Sequence, residues 1–243
     1  MYDTCIFDLY GTLVDIRTDE NKKELWDRLA MFYAFYGADY TPDELHQAYD
    51  CLTEKMSAGK GGIRKDAHET YPEIRIEEVF QELFRKKGAD ADEVLARHAG
   101  QFFRILSMEY LKLYDGTEEM LSVLKNSGKK IYLLSNAQKI FTEYEMNALG
   151  ITPYFDGIFI SSEHGCKKPD VRFFEKLIRT YGIDIRRAVM IGNDGVCDIE
   201  GARNAGLATL YVRTEISPKE DIPDADHVLD KMDTKRMTKI LLS

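Results

Sequence analysis

Thr4-Cys5-Ile6-Phe7-Asp8-Leu9-Tyr10-Gly11-Thr12 is the stretch from which the rest of this chain is read. A short apolar run that stops at a carboxylate and a glycine turn is the usual start of a buried strand leading into an α/β site. Upstream stand only Met1-Tyr2-Asp3, with no basic region or cleavage site, so no signal peptide is expected. Downstream the chain changes character twice. From Asp15 to Leu113 no strand is expected. Leu25, Leu29, Phe32 and Tyr36 share one helical face that Gly37 closes. Thr41-Pro42-Asp43-Glu44 is a capping box, and it opens a helix with Leu45, Tyr49, Leu52 and Met56 on one stripe. Val79, Phe80, Leu83 and Phe84 mark a third helix, and a fourth is expected from Val94 to Leu111.

After Tyr114 helix and strand alternate. Short apolar strands are expected at 130–134, 157–160, 188–191 and 209–212, separated by helices that end at Gly128, Gly150, Gly182 and Gly206. Continuous apolar strands between three-turn helices indicate an α/β, Rossmann-like parallel sheet covered on both faces. The expected organisation is a core of residues 1–14 and 114–243 with an all-helical insertion, a cap, over 15–113.

The 243 residues carry 33 Lys+Arg against 42 Asp+Glu, a net charge of −9, with 44% hydrophobic and 31% charged residues. Such a chain is globular rather than disordered. Its pI near 5.2 argues against nucleic acid or an anionic membrane as partner. No apolar run approaches the roughly 20 residues of a membrane span. Cys5, Cys51, Cys166 and Cys197 have no metal-ligand spacing, and a reducing, cytoplasmic location is expected. The expected partner is a small anionic molecule, and the expected assembly a monomer or homodimer.

In an open parallel sheet, ligands bind beyond the carboxyl ends of the strands. There the expected strands deliver Asp8, then Ser135-Asn136, then Gly192-Asn193-Asp194 with Asp198 slightly later, and Lys167-Lys168-Pro169 follows the third strand. Carboxylates, a hydroxyl and an ammonium on one edge describe an anion site that can also hold a divalent cation.

These motifs resemble the haloacid dehalogenase superfamily of Asp-nucleophile hydrolases. Its DxDGT matches Asp8-Leu9-Tyr10-Gly11-Thr12 with one change. Its strand ending in Ser or Thr matches Ser135, and its Lys before Pro matches Lys168-Pro169. Its GDxxxxD and small-residue helix match Gly192-Asn193-Asp194-Gly195-Val196-Cys197-Asp198-Ile199-Glu200-Gly201-Ala202 with one change. The resemblance implies Asp8 as nucleophile and Tyr10, Ser135, Asn136 and Lys168 as further catalytic positions. It implies Gly11, Thr12, Ser135, Asn136 and Lys168 around the phosphate. Mg2+ would sit among Asp8, the Tyr10 carbonyl oxygen and Asn193 or Asp194, with Asp198 in support.

Tyr10 stands where family phosphatases place a carboxyl general acid, and Asn193 where a metal-binding Asp is expected. A Tyr at this place is also what the superfamily's haloacid dehalogenases show, since a leaving halide needs no proton. The cap segment Leu25–Tyr33 does not match theirs well, and Asp194 and Asp198 are retained, so a Mg2+-dependent phosphatase is the favoured expectation. A 2-haloacid dehalogenase is the rival and a non-catalytic binding module the third reading. Several residues also have plainer readings. Ser135 can cap the following helix. Asp198 can be a charge at a helix start. His164 reads as a loop histidine, and the aromatics around Trp26 as core. The basic segment 57–65 is no P-loop, but could reach a substrate anion.

Overall fold

The computed structural model describes residues 1–58, 73–220 and 224–243. The chain runs β1 (Thr4–Phe7), β2 (Val14–Thr18), α1 (Lys23–Phe35), α2 (Pro42–Ala58), α3 (Ile76–Lys86), α4 (Glu93–Ser107) and β3 (Met108–Leu113). It continues α5 (Thr117–Asn126), β4 (Lys130–Ser135), α6 (Lys139–Ala148), β5 (Gly157–Ile160), α7 (Val171–Tyr181), β6 (Ala188–Gly192), α8 (Gly201–Asn204), β7 (Ala208–Val212), β8 (His227–Leu229) and α9 (Thr234–Leu242). Of the basic segment, residues 59–65 lie outside the described residues.

Six strands form one parallel sheet in the order β5-β4-β1-β6-β7-β8. Alternation along the strands sorts their side chains to two faces. Cys5, Phe7, Ile131, Leu133, Val189 and Ile191 turn one way and meet α5 and α9 through Leu121, Leu124, Met237 and Leu241. Ile6, Tyr132, Leu134 and Met190 turn the other way, onto Phe173, Phe174 and Leu177 of α7. Both faces are therefore apolar, as a parallel sheet with helices on each side requires. Because β4 and β6 flank β1, the chain's winding reverses beside β1, and the crevice at its carboxyl end is where this architecture takes ligands.

Helices α1 to α4 bury a separate apolar cluster, joined by Ile140 of α6. Trp26 at 3% exposure and Tyr33 belong to it, as expected of the aromatics of α1, whereas Phe35 of the same helix is exposed. The Tyr33 hydroxyl donates to the Phe80 carbonyl at 2.9 Å and that of Tyr40 to Leu83 at 2.8 Å, which pins α1 and the turn after it against α3. Thr41 and Glu44 exchange the two bonds of the capping box.

The expectation of no strand between Asp15 and Leu113 is corrected. Val14–Thr18 and Met108–Leu113 pair as an antiparallel ribbon where the chain leaves and rejoins the sheet region. The fourth helix accordingly ends at Ser107, not Leu111. Phe103, Ser107 and Leu111 keep helical spacing and so extend the apparent helix, but the extended backbone at Met108 and pairing with β2 stop it.

Candidate active site

Asp8 lies one residue beyond β1, where its N–H continues the ladder by donating to the Ile191 carbonyl at 2.9 Å. The chain then turns tightly. Leu13 and Val14 both donate to the Leu9 carbonyl, and Gly11 N–H donates to Val14 at 2.8 Å. Gly11 has φ +83°, and a Cβ there would lie 2.5 Å from the Asn193 side chain, so only glycine fits. The Gly11 and Thr12 amides are thus used inside the turn, while the Thr12 hydroxyl lies 3.3 Å from Asp8 Oδ2 and 3.2 Å from Asn193 Oδ1.

Lys168, not its neighbour Lys167, reaches the carboxylates. Its Nζ donates to Asp8 Oδ1 and to Asp198 Oδ1, each at 2.7 Å, and the side chain is almost completely buried. Asn136 holds the backbone that carries it: Lys168 N–H donates to Asn136 Oδ1 at 2.7 Å and Asn136 Nδ2 to the Lys168 carbonyl at 2.9 Å. Asp198 Oδ2 accepts from the Asn193 and Asp194 N–H groups, both at 3.0 Å. Gly192 makes room for this, because a Cβ there would lie 2.2 Å from Asp198 Oδ2. Asp194 Oδ1 accepts from Val196 and Cys197, capping the π-helical turn 195–200. Ser135, at the end of β4, is buried, and its hydroxyl has no partner among the described residues.

Asp8, Asn136, Lys168, Asn193, Asp194 and Asp198 border a cleft of about 190 Å³, together with Tyr10, Cys197 and Ile216. Burial alone would pull the Lys168 ammonium down from its ordinary pKa, but the Asp198 and Asp8 carboxylates override it and hold the group charged. Burial pushes the Asp198 carboxyl up; Lys168 opposes this and the Asp8 charge adds to it.

The Tyr10 side chain turns to a different set of residues. Its hydroxyl donates to Glu145 Oε2 of α6 in a short bond and lies 2.9 Å from Thr142 Oγ1. Arg104 of α4 donates from Nε to Glu145 Oε1 at 2.6 Å, and its guanidinium carbon sits 5.8 Å from the Tyr10 ring centre. Burial, and next the Glu145 charge, push the Tyr10 phenol far above its ordinary value. Sequence reading missed Glu145, Thr142 and Arg104. The one available signal was an acid on the buried face of α6, beside Thr142 and Met146. His164 stacks on Phe159 with ring centres 3.6 Å apart, as a loop histidine would.

A family profile described as haloacid dehalogenase-like hydrolase matches residues 2–206. The chain belongs to that family. Among curated hydrolases, a glyceraldehyde 3-phosphate phosphatase of Methanothermobacter thermautotrophicus is 36% identical over 118 residues, covering 49% of this chain and 50% of the relative. The pyrimidine 5'-nucleotidase PynA of Streptococcus pneumoniae is 26% identical over 238 residues, covering 86% of this chain and 99% of that one. The alignment thus spans half of the first relative's length and nearly all of the second's. In fold, the crystal structure of a 2-haloacid dehalogenase from Pseudomonas syringae pv. Tomato DC3000 matches 99% of the chain and 98% of its own, with a TM-score of 0.65 at 19% identity.

The family resemblance implies a magnesium ion, and the cleft's chemistry fits one. Among the described residues the cleft is lined by three carboxylates, Asp8, Asp194 and Asp198, and by one ammonium, Lys168, which pairs with Asp8 and Asp198, so these residues carry surplus negative charge. The donors beside Asp8 are oxygens, which suits a hard cation. Among the described residues no three His, Cys, Asp or Glu side chains form a ready metal cluster, so the Asn193 amide oxygen and the Tyr10 carbonyl would complete the set. No helix among the described residues is long and apolar enough to cross a membrane.

Proposed function

We propose that this hydrolase is a phosphatase, which passes the phosphoryl group of a small phosphate ester first to Asp8 and then to water. The observation that carries the reading is the buried Lys168 ammonium 2.7 Å from the Asp8 carboxylate, at the carboxyl edge of a parallel sheet. A carboxylate and a phosphate repel by roughly 4 kcal/mol per charge pair at 4 Å and an effective dielectric of 20, and a lysine between them offsets this. Asp8 acts as the nucleophile, and Lys168 balances charge as phosphate approaches. The Ser135 hydroxyl receives a phosphoryl oxygen, which satisfies a buried group that otherwise lacks a partner. Asn136 acts by holding the Lys168 backbone, and Asp198 by fixing the ammonium. Mg2+ held by Asp8, the Tyr10 carbonyl and Asn193, with Asp194 adjoining, would supply Lewis-acid stabilisation of phosphoryl charge. The two curated relatives, named as a phosphatase and a 5'-nucleotidase, support the reading.

Tyr10 favours a second reading. Its hydroxyl is committed to Glu145, and a halide leaves without a proton, so halide displacement on a 2-haloacid needs no acid there. In the third reading, Tyr10 and Asn193 mark a binding module without turnover. One assay separates the three: p-nitrophenyl phosphate with magnesium, against 2-chloropropionate without metal. Phosphate release is expected. Chloride release alone establishes the dehalogenase, and release of neither leaves binding.

A further inference from the structure

Among the described residues, the cleft holds many proton acceptors and few free proton donors. A departing alkoxide needs a donor aimed at it, so the protons of Lys168, Thr12, Tyr10 and Asn136 can be followed to where they go, the Ser135 hydroxyl being the one that the phosphatase reading gives to a phosphoryl oxygen. The Lys168 ammonium donates to Asp8 and Asp198 and is enclosed between them. The Thr12 hydroxyl has one proton, lying between Asp8 Oδ2 and Asn193 Oδ1. The Tyr10 hydroxyl gives its proton to Glu145, a carboxylate that Arg104 holds from the other side with bonds of 2.6 and 3.4 Å. The Asn136 amide donates to the Lys168 carbonyl. The carboxylates are arranged as acceptors: Asp198 faces Lys168 Nζ and two main-chain N–H groups, and Asp194 Oδ1 faces two more. The Tyr10 commitment is built deeply, since Glu145 and Thr142 are buried and the Arg104 side chain is largely so.

From this arrangement we infer that the enzyme acts on phosphoryl donors whose leaving group departs unprotonated, namely acyl phosphates, phosphoric anhydrides and aryl phosphates, and discriminates against simple alkyl phosphates. The inference rests on the phosphatase reading. In the first step an Asp8 oxygen forms a bond to phosphorus. The bond from phosphorus to the leaving oxygen breaks, and the electron pair departs with a carboxylate, phosphate or phenolate. In the second step water adds to phosphorus, the Asp8–phosphorus linkage breaks, Asp8 is regenerated as a carboxylate, and the water proton stays on the released dihydrogen phosphate. No protein acid is needed in either step.

The test is a leaving-group series at fixed magnesium: acetyl phosphate, aryl phosphates of graded phenol acidity, and glycerol phosphate, with kcat/KM read by phosphate release. A positioned general acid is worth about 10²–10⁴ in rate, so glycerol phosphate is expected at least about 10²-fold below p-nitrophenyl phosphate, with a graded decline between. Rates within about fivefold across the series overturn the inference and leave the phosphatase reading standing. Release from none of the substrates overturns both. The variant Tyr10→Asp supplies a carboxyl at the same turn, and is expected to raise glycerol phosphate turnover relative to p-nitrophenyl phosphate by about tenfold or more. An unchanged ratio in a folded variant also overturns the inference, and if the variant fails to fold the parent's series decides alone.

Discussion

Lys168 sets the charge balance of the cleft, so its removal has a distinctive signature. Lys168→Met leaves Asp8 and Asp198 buried without a cation, and breaking a buried pair in this way costs about 3–5 kcal/mol. In the parent the lysine's pKa is raised on folding. Its contribution is therefore fully present below the unfolded value of about 10.4, and is lost only as pH rises through the folded value. The parent is thus insensitive to this group between about pH 5 and 8. In the variant the buried Asp198 is pushed up with no lysine to oppose it, so protonation relieves the strain. Thermal melts should show the deficit largest at pH 8 and reduced at pH 5. Asp8→Asn differs, because Lys168 keeps Asp198 as its partner. Turnover should fall by about 10³-fold or more, with the melting temperature retained. Asn193→Asp tests the metal, since an added carboxylate beside Asp8 should lower the half-saturating magnesium concentration by about tenfold. Asp8, Lys168 and Asp198 were legible because each falls in a motif that follows a strand of the sheet, and Pro169 pointed to Lys168 over Lys167. The partners of Tyr10 were not legible: Glu145 is 135 residues away, and only the fold brings it near.

At the scale of elements, α4 and α6 are joined by the Arg104–Glu145 pair, with Glu145 also receiving the Tyr10 hydroxyl. Glu145→Ala strands a largely buried guanidinium and a half-buried phenol, and should lower stability by about 3 kcal/mol in denaturant titration. Glu145→Gln, which keeps an acceptor, should lose less. Periodicity found the long helices because each presents one apolar face, but in α1 that face is completed by Tyr33 beside Leu25 and Leu29, whereas Tyr36, expected on it, is exposed. It failed at β2 and β3, whose residues are mostly half-exposed and whose pairing lies between segments about ninety residues apart, a signal that no local window contains. The helix closed by Gly206 was expected to follow the GDxxxxD motif; residues 195–200 ahead of α8 are wound as a π-helix on the Asp194 cap.

For the whole molecule, the apolar cluster of α1 to α4 is separate from the two that clothe the sheet, and the antiparallel ribbon brings the two ends of the intervening segment together. We propose that this segment is a cap folding as a unit, so that residues 19–107 can be replaced by an Asn-Gly turn joining Thr18 to Met108. The shortened chain should keep a cooperative thermal transition and its strand signal in circular dichroism, at reduced stability because Ile140 and Glu145 lose their partners. Loss of cooperativity would show that the helices are part of one indivisible core.

The position of β1 has a consequence for how the chain is made. It is synthesised before every other strand of the sheet, yet it pairs on one side with Lys130 to Leu133 and on the other with Ala188 to Ile191. At about 5–20 residues per second, translation leaves it waiting roughly 10–40 s for its second neighbour. Thr4–Phe7, fully enclosed in the finished protein, is throughout that interval an apolar segment with an unpaired edge. Growth temperature, translation speed and chaperone supply should therefore govern the yield of folded enzyme more strongly than they would for a chain that closes its sheet strand by strand.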